Sequence, residues 1–117
     1  MTDEIPEISV QELAEKIKKD EKFTLLDVRE QWELSYAHIT DERVVALPMS
    51  LIARHYKDAF SEELLNLQTE IIVMCHHGVR SANVTGWMRQ NGWLNVYSLA
   101  GGIAAYADEI DSSVGTY

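Results

Sequence analysis

Short apolar runs alternate with amphipathic segments along this chain. The first amphipathic segment, residues 9–20, has apolar side chains at helical spacing: Val10, Leu13, Ala14 and Ile17. Ser9 stands at its start and Glu12 follows three residues later, which is the pattern of a capping box. This segment therefore predicts a helix whose N-terminus is capped by Ser9.

Four other runs are short, apolar and rich in β-branched residues, which is typical of strands. They are residues 23–28, 43–47, 71–74 and 95–99. Pro48 ends the second run, because proline has no N–H group to continue a ladder. The third run, Ile-Ile-Val-Met, has no polar position, so we expect a parallel strand that is covered on both faces.

The segments between these runs favour helices. They are residues 29–39 (a short helix and a loop), 50–56, 61–67, 81–92 and 101–110. Ser50 and Ser61 are the expected N-caps of two of them, and Gly92 is the expected stop of the fourth. Strands that alternate with helices predict an α/β fold, with a central parallel sheet covered by helices on both faces. We expect one domain over residues 1–117.

The only cysteine of the chain, Cys75, stands directly after the third predicted strand. Ligand sites in open α/β sheets lie at the carboxyl ends of the strands. The loop from Cys75 leads into the next helix, whose N–H groups and dipole favour an anion. The same field stabilises a thiolate, which is the nucleophilic form of cysteine. Cys75 is therefore a candidate nucleophile.

Two further residues of the loop strengthen this hypothesis. Gly78 allows the backbone to curl so that N–H groups point inward, and Arg80 adds a positive charge. The alternative is that Cys75 is a small buried side chain and Arg80 a surface charge. That alternative leaves the order of strand, Cys, Gly, Arg and helix unexplained. We therefore expect a reactive thiolate that faces an anionic substrate.

Composition narrows the set of partners. The chain has 117 residues and a net charge of -9, so we expect neither nucleic acid nor an anionic membrane surface as a partner. One cysteine cannot form an internal disulfide, and no apolar run reaches membrane-spanning length. The acidic N-terminal residues lack the pattern of a signal peptide. The expected location is the cytoplasm, where thiols stay reduced.

Four signatures, in this order, resemble those of the rhodanese family of sulfurtransferases. They are Leu-Leu-Asp-Val-Arg-Glu-Gln-Trp-Glu at 25–33, Ala-His-Ile at 37–39 with Ala-Leu-Pro-Met-Ser at 46–50, Cys-His-His-Gly-Val-Arg-Ser at 75–81, and Tyr-Ser-Leu-Ala-Gly-Gly-Ile-Ala-Ala-Tyr at 97–106. Ala37 and Tyr106 replace the family's usual glycine and tryptophan, and both lie outside the reactive loop. The likeness extends over nearly the whole chain and implies a single-domain rhodanese.

The resemblance implies a mechanism that needs no metal or cofactor. Cys75 would attack the outer sulfur of thiosulfate or of a carrier persulfide, and become a persulfide itself. Cyanide, a small thiol or a protein thiol would then accept that sulfur. The loop would bind the substrate through six residues: His76, His77, Gly78, Val79, Arg80 and Ser81.

Three of these loop residues keep more than one interpretation. Arg80 either attracts an anionic donor or pairs with a nearby carboxylate. His76 and His77 either tune the thiolate or bind an anion, or are exposed with no chemical part. A third interpretation, metal ligation together with Cys75, is the least favoured, because consecutive loop residues rarely converge on one ion.

Three residues outside the loop are expected to support it. Asp27 and Arg29 are predicted to form a buried polar pair. His38 is predicted to be structural, with a hydrogen bond beneath the loop.

Two other functions compete with sulfur transfer. Cysteine phosphatases and arsenate reductases of the related type have five residues between Cys and Arg, whereas four lie between Cys75 and Arg80. The shorter loop predicts a cradle for a single sulfur rather than for a tetrahedral oxyanion. The other alternative is a sulfur carrier or partner-binding module without thiosulfate activity. Residues 109–117 resemble the ends of rhodanese domains that are fused to sulfur-carrier activating enzymes.

Overall fold

The structure, a computed structural model, describes residues 4–117 and contains a five-stranded sheet in which all pairings are parallel. The strands are β1 Glu7–Ile8, β2 Thr24–Asp27, β3 Val44–Ala46, β4 Ile71–Met74 and β5 Val96–Leu99. Their order across the sheet is β1-β5-β4-β2-β3. The central strand, β4, therefore has a neighbour on each side and delivers the residue that follows it to the middle of the sheet edge.

Residues 4–117 contain four α-helices, of which the first three connect strands and the fourth follows β5. They are α1 Val10–Lys18, α2 Met49–His55, α3 Val79–Gln90 and α4 Gly102–Glu109, with short 3-10 helices at Gln31–Ser35, Tyr56–Ala59 and Ser112–Val114. The predicted capping box is confirmed, since the Ser9 hydroxyl accepts from the Glu12 N–H and the Glu12 carboxylate accepts from the Ser9 N–H. No helix within residues 4–117 combines the length and apolar character needed to cross a membrane.

Alternate residues of β4 enter two separate hydrophobic cores. Ile72 and Met74 pack in the core that contains residues of α1 and α4. Ile71 and Val73 pack in the core that contains residues of α2 and α3. All four side chains are fully buried, as a strand between two helical layers requires. The predicted α/β fold with helices on both faces of a parallel sheet is confirmed.

The segment 61–67 is not the predicted helix but a series of turns. The Leu65 N–H donates to the Ser61 carbonyl, so one helical turn forms. The Leu64 carbonyl then accepts from the Trp93 indole N–H at 2.8 Å instead of continuing a helical ladder. A tertiary hydrogen bond therefore replaces the next helical one, and only Leu64 of the three leucines in this segment is buried.

Other differences from the prediction lie at the ends of helices and at one short strand. α2 begins at Met49 after Pro48, and the Ser50 hydroxyl donates to the Glu30 carboxylate, so the N-cap prediction for Ser50 was wrong. β1, with two residues, was not predicted because a pair of residues is too short to show a period. α3 begins two residues before the predicted start and ends just before Gly92, as predicted.

Candidate active site

Cys75 lies directly after β4, and its side chain is buried in the core between the sheet and α3. Its Sγ accepts hydrogen bonds from the N–H of Gly78 at 3.1 Å and from the N–H of Ser81 at 3.3 Å. Both N–H groups belong to the N-terminal end of α3, where they have no partner within the helix. Hydrogen bonds and a helix dipole directed at one sulfur stabilise negative charge on that sulfur.

Gly78 gives the loop its curl. Its φ of +101° lies in the left-handed region, where side chains other than glycine are strained. A Cβ atom at this position would lie 3.2 Å from the Gly101 nitrogen and 3.6 Å from the Leu99 carbonyl oxygen. The predicted role of Gly78, to turn the backbone so that an N–H group points inward, therefore has a clear geometric basis.

The start of α4 holds the same loop from the other side. The Ile103 N–H donates to the Cys75 carbonyl at 2.9 Å, and the Ala104 N–H donates to the His76 carbonyl at 3.0 Å. Gly102 makes this contact possible, because a Cβ atom there would lie 2.4 Å from the His76 oxygen and 2.5 Å from the Cys75 oxygen. The Gly-Gly segment thus brings one helix N-terminus against the backbone of the loop.

A pair of hydroxyl groups lies beneath the sulfur. Ser81 Oγ is 3.4 Å from Cys75 Sγ, 3.2 Å from the Gly78 carbonyl and 2.7 Å from Ser98 Oγ. Ser81 and Ser98 are both fully buried. Within residues 4–117 the Ser98 hydroxyl has Ser81 Oγ as its one hydrogen-bond partner. If Ser98 donates to Ser81, the Ser81 proton is directed to the Gly78 carbonyl or to the sulfur.

Arg80 forms an ion pair with a buried carboxylate. Its two terminal nitrogens each donate to an oxygen of Glu33 at 2.7 Å. The Glu30 N–H donates to the same carboxylate. The hydrogen bonds from Arg80 lower the pKa of Glu33 to about 2. The structure therefore agrees with the second interpretation of Arg80, in which it pairs with a nearby carboxylate.

A second ion pair lies next to the first. Arg29 donates to Asp27 through Nε at 2.9 Å and through Nη2 at 2.7 Å, and the Arg29 side chain is fully buried. Arg29 Nη1 also donates to the Tyr117 hydroxyl at 3.1 Å, and this hydroxyl donates to Glu33 at 2.9 Å. The two ion pairs and the phenol form one connected network. The support that Asp27 and Arg29 give to the loop stays a prediction.

The two loop histidines have different surroundings. The His76 ring is half-buried and stacks between the rings of Tyr117 and His77, with centroids 3.7 Å and 3.8 Å away. Burial, and then the neighbouring His77, lower the pKa of His76, which favours a neutral imidazole at pH 7. His77 is exposed. Among residues 4–117, no three His, Cys, Asp or Glu side chains are grouped as metal ligands.

His38 does not lie beneath the loop, so that prediction was wrong. Its side chain is exposed and lines a surface depression with Asp41, Tyr106 and Asp111. Its backbone N–H donates to the Val114 carbonyl at 2.9 Å. Its neighbours Ala37 and Ile39 are buried in the core, and the His38 side chain lies on the opposite side of the chain, in solvent. Val79, the remaining loop residue, has 71% of its surface exposed.

Three residues that complete the site were not identified from the sequence: Glu33, Ser98 and Tyr117. Their partners lie 47, 17 and 84 residues away in sequence, at Arg80, Ser81 and Glu33. Glu33 and Ser98 do lie within two of the quoted signatures, which was a usable signal. Tyr117 lies in the segment 109–117, and the resemblance of that segment to the ends of other rhodanese domains was a usable signal for it.

An apolar cavity lies away from this site. It has a volume of about 300 Å³ and lies between α2 and α3, lined by Met49, Ile52 and Trp87 among others. Cys75 is not part of its lining. The chemistry of the chain is therefore concentrated at the loop after β4 rather than in this cavity.

Comparison with known proteins identifies the family. The profile of the Rhodanese-like domain family matches residues 9–109. The chain belongs to the rhodanese-like domain family. YtwF of Bacillus subtilis, named as a candidate sulfurtransferase, is 33% identical over 91% of this chain and 94% of its own length. YrkF of the same organism, named as a candidate sulfur carrier, is 33% identical over 85% of this chain and 49% of its own length.

Solved structures agree with this assignment. A rhodanese-related protein from Thermoplasma volcanium has a TM-score of 0.71 and 30% identity, and the match covers 90% of this chain and 93% of that one. Some relatives are longer, since the chain spans 38% and 49% of two curated relatives that it matches. A rhodanese-like domain with relatives of the sulfurtransferase class supports a role in sulfur transfer.

Proposed function

We propose that this chain is a sulfurtransferase that carries sulfane sulfur as a persulfide on Cys75. The observation that carries the proposal is the pair of N–H groups, from Gly78 and Ser81, that donate to the Cys75 Sγ. A preorganised donor set at a helix N-terminus stabilises an anionic sulfur without further rearrangement. Such a set suits a thiolate and, after loading, the negatively charged outer sulfur of a persulfide.

The proposed reaction has two displacements. In the first, the Cys75 thiolate attacks the outer sulfur of the donor, and the donor's S–S bond breaks as sulfite or a thiolate leaves with the electron pair. Cys75 then carries a persulfide. In the second, a thiol, cyanide or a protein thiolate attacks the outer sulfur, and the Cys75 thiolate leaves. Each step exchanges one bond to sulfur for another, so no redox partner or cofactor is required.

The dimensions of the loop favour this chemistry over phosphate or arsenate chemistry. Four residues separate Cys75 from Arg80, and the Gly78 N–H already lies 3.1 Å from the sulfur. The Arg80 guanidinium, which would have to contact oxyanion oxygens in a phosphatase, is instead bonded to Glu33. A single sulfur atom needs neither the wider loop nor an unpaired guanidinium.

The identity of the donor is part of the proposal. Because the charge of Arg80 is paired with Glu33, we propose that the N–H groups of the loop and the α3 dipole provide most of the attraction for the donor. Both thiosulfate and a protein persulfide meet this requirement. A carrier role, in which sulfur arrives only from a protein persulfide, is the second candidate, and the relative named as a candidate sulfur carrier favours it.

A steady-state assay tests the proposal. The native protein, Cys75→Ser and the control Leu94→Ala are each incubated with cyanide and either thiosulfate or a persulfide-loaded cysteine desulfurase. Leu94 is 61% exposed and precedes β5, at the edge of the parallel sheet opposite to the one where Cys75 follows β4. With a given donor, thiocyanate should form faster with the native protein and Leu94→Ala than without them, whereas Cys75→Ser should stay at the background rate at which cyanide attacks the donor directly. Turnover by the native protein with the persulfide-loaded desulfurase but not with thiosulfate would favour the carrier role. Turnover by Cys75→Ser at the native rate would exclude both functions.

A further inference from the structure

Tyr117 reaches the site from a distant part of the chain. Its hydroxyl donates to Glu33 at 2.9 Å and accepts from Arg29 at 3.1 Å. A phenol has one proton and two lone pairs, so it can make both hydrogen bonds at once. Burial is the main reason that the pKa of Tyr117 is raised, which keeps that proton in place at neutral pH. This hydroxyl is thus a bridge between an arginine of one ion pair and the carboxylate of the other.

The ring of Tyr117 makes a separate contact with the loop. It stacks on the His76 ring with a centroid distance of 3.7 Å and an interplanar angle of 6°. His76 directly follows Cys75, and its carbonyl is held by the N–H of Ala104. On its other side the ring of Tyr117 stacks on Tyr36 at 5.8 Å. His76, the residue after Cys75, is therefore held against the ring of Tyr117, which itself packs on Tyr36.

The segment before Tyr117 has a defined path. The Val114 carbonyl accepts from the His38 N–H at 2.9 Å. Gly115 has a φ of +99°, and a Cβ atom there would lie 2.4 Å from the Tyr36 oxygen. The backbone can pass this close only at a glycine. The side chain of Tyr117 is therefore directed into the network by backbone contacts that precede it.

We propose that Tyr117 is a positioning residue for sulfur transfer at Cys75. It does not contact the sulfur but acts through two routes. Its hydroxyl fixes Glu33, which holds Arg80 in the first turn of α3, and this turn supplies the N–H of Ser81 to the sulfur. Its ring fixes His76. Loss of either route loosens the donors that stabilise the thiolate, because Arg80 lies in the same helical turn as the Ser81 N–H and His76 directly follows Cys75.

Two variants separate the routes. Tyr117→Phe keeps the stacked ring and removes the hydroxyl, whereas Tyr117→Ala removes both. Tyr36→Phe is the matched control, because Tyr36 is 59% exposed and its hydroxyl has no hydrogen-bond partner within residues 4–117. Two readouts are measured: kcat/KM for sulfur transfer, and the second-order rate constant for alkylation of Cys75 by iodoacetamide at fixed pH, which reports the reactive thiolate.

We expect Tyr117→Phe to lower both rate constants by about threefold to tenfold, the size of one ordinary hydrogen bond, because the lost hydroxyl acts on the sulfur only indirectly. Tyr117→Ala should lower them further. It alone should also reduce the upfield ring-current shift of the His76 ring protons in the NMR spectrum, because the stacked His77 ring remains. Tyr36→Phe should match the native protein in every readout. Thermal unfolding of each variant establishes that it is folded.

The proposal is overturned if Tyr117→Phe and Tyr117→Ala both alkylate at Cys75 within twofold of the native rate. Tyr117 would then only cover the core. Should Tyr117→Ala fail to fold, Tyr117→Phe alone decides, because it preserves the ring packing. The inference rests on the proposed sulfur transfer for the kcat/KM readout only. Should the native protein transfer no sulfur, the alkylation and NMR measurements still test Tyr117.

Discussion

Arg80, the only arginine between Cys75 and Ser81, donates hydrogen bonds from both terminal nitrogens of its guanidinium to the carboxylate of Glu33. The carboxylate is buried, and about a third of the Arg80 side chain is exposed. A bidentate pair of this kind fixes the orientation of both partners. Arg80 is therefore placed to hold the start of α3 in position, and its charge is balanced before any donor arrives.

Replacement of Arg80 should affect every donor to a similar extent. We expect Arg80→Ala to lower kcat/KM by about tenfold or more, both for thiosulfate and for a persulfide whose organic group is uncharged. The reason is that the Arg80–Glu33 pair positions the start of α3 whichever donor reacts. Arg80→Lys should recover little, because lysine cannot make a bidentate pair. A selective rise in KM for thiosulfate, with persulfide kinetics unchanged, would show instead that Arg80 binds the anion.

Glu33 should make stability depend on acid pH. Its pKa in the folded protein is about 2, below the ordinary value of 4.5. The ionised Glu33 therefore stabilises the folded protein fully above pH 4.5, and this stabilisation is lost as the pH falls toward 2. The contribution is at most about 3 kcal/mol. The free energy of unfolding from urea denaturation should fall more steeply between pH 5 and pH 2 in the native protein than in Glu33→Gln. Parallel curves would contradict this account.

The close approach of α4 to the loop should not tolerate a side chain. At Gly102 a Cβ atom would lie 2.4 Å from a backbone oxygen, and φ is +61°, so we expect Gly102→Ala to cost more than about 2 kcal/mol of stability and to slow alkylation of Cys75. Gly86→Ala is the control. Its Cβ would meet only the end of the Ile5 side chain, and alanine favours the helix by up to about 1 kcal/mol. Equal changes of melting temperature in Gly102→Ala and Gly86→Ala would contradict the prediction.

Ser98 should affect the reactivity of Cys75 through its contact with Ser81. Ser98→Ala removes the hydroxyl that lies 2.7 Å from Ser81 Oγ, so we expect Cys75 to be alkylated about threefold to tenfold more slowly. Thr85→Val is the matched control, because Thr85 is equally buried and its hydroxyl has no hydrogen-bond partner within residues 4–117. Thr85→Val should leave the alkylation rate unchanged and should not destabilise the protein. Identical rates in Ser98→Ala and the native protein would remove Ser98 from the site.

The sequence predicted the layers and the place of Cys75 after a buried strand because these depend on local patterns. The apolar run of β4 and the capping box at Ser9 are each encoded within a few neighbouring residues. Because Cys75 directly follows β4, the general geometry of parallel sheets then puts it at the carboxyl edge of the sheet, where ligand sites lie.

The failures have physical reasons of another kind. Residues 61–67 carry a helical pattern, but the Trp93 indole takes the Leu64 carbonyl. Glu33 and Tyr117 reach the site through contacts between distant parts of the chain, which no periodicity encodes. His38 was placed from its position in a signature rather than from any partner, and the structure puts its side chain at the surface.

The persulfide on Cys75 is tested most directly by intact-protein mass spectrometry. The native protein and Cys75→Ser are each incubated with thiosulfate or with a cysteine desulfurase and cysteine, and then with or without cyanide. The native protein should gain the mass of one sulfur atom with at least one donor and lose it to cyanide as thiocyanate, while Cys75→Ser stays unmodified. A native protein that gains no sulfur from either donor, or a Cys75→Ser variant that gains it equally, would contradict the account.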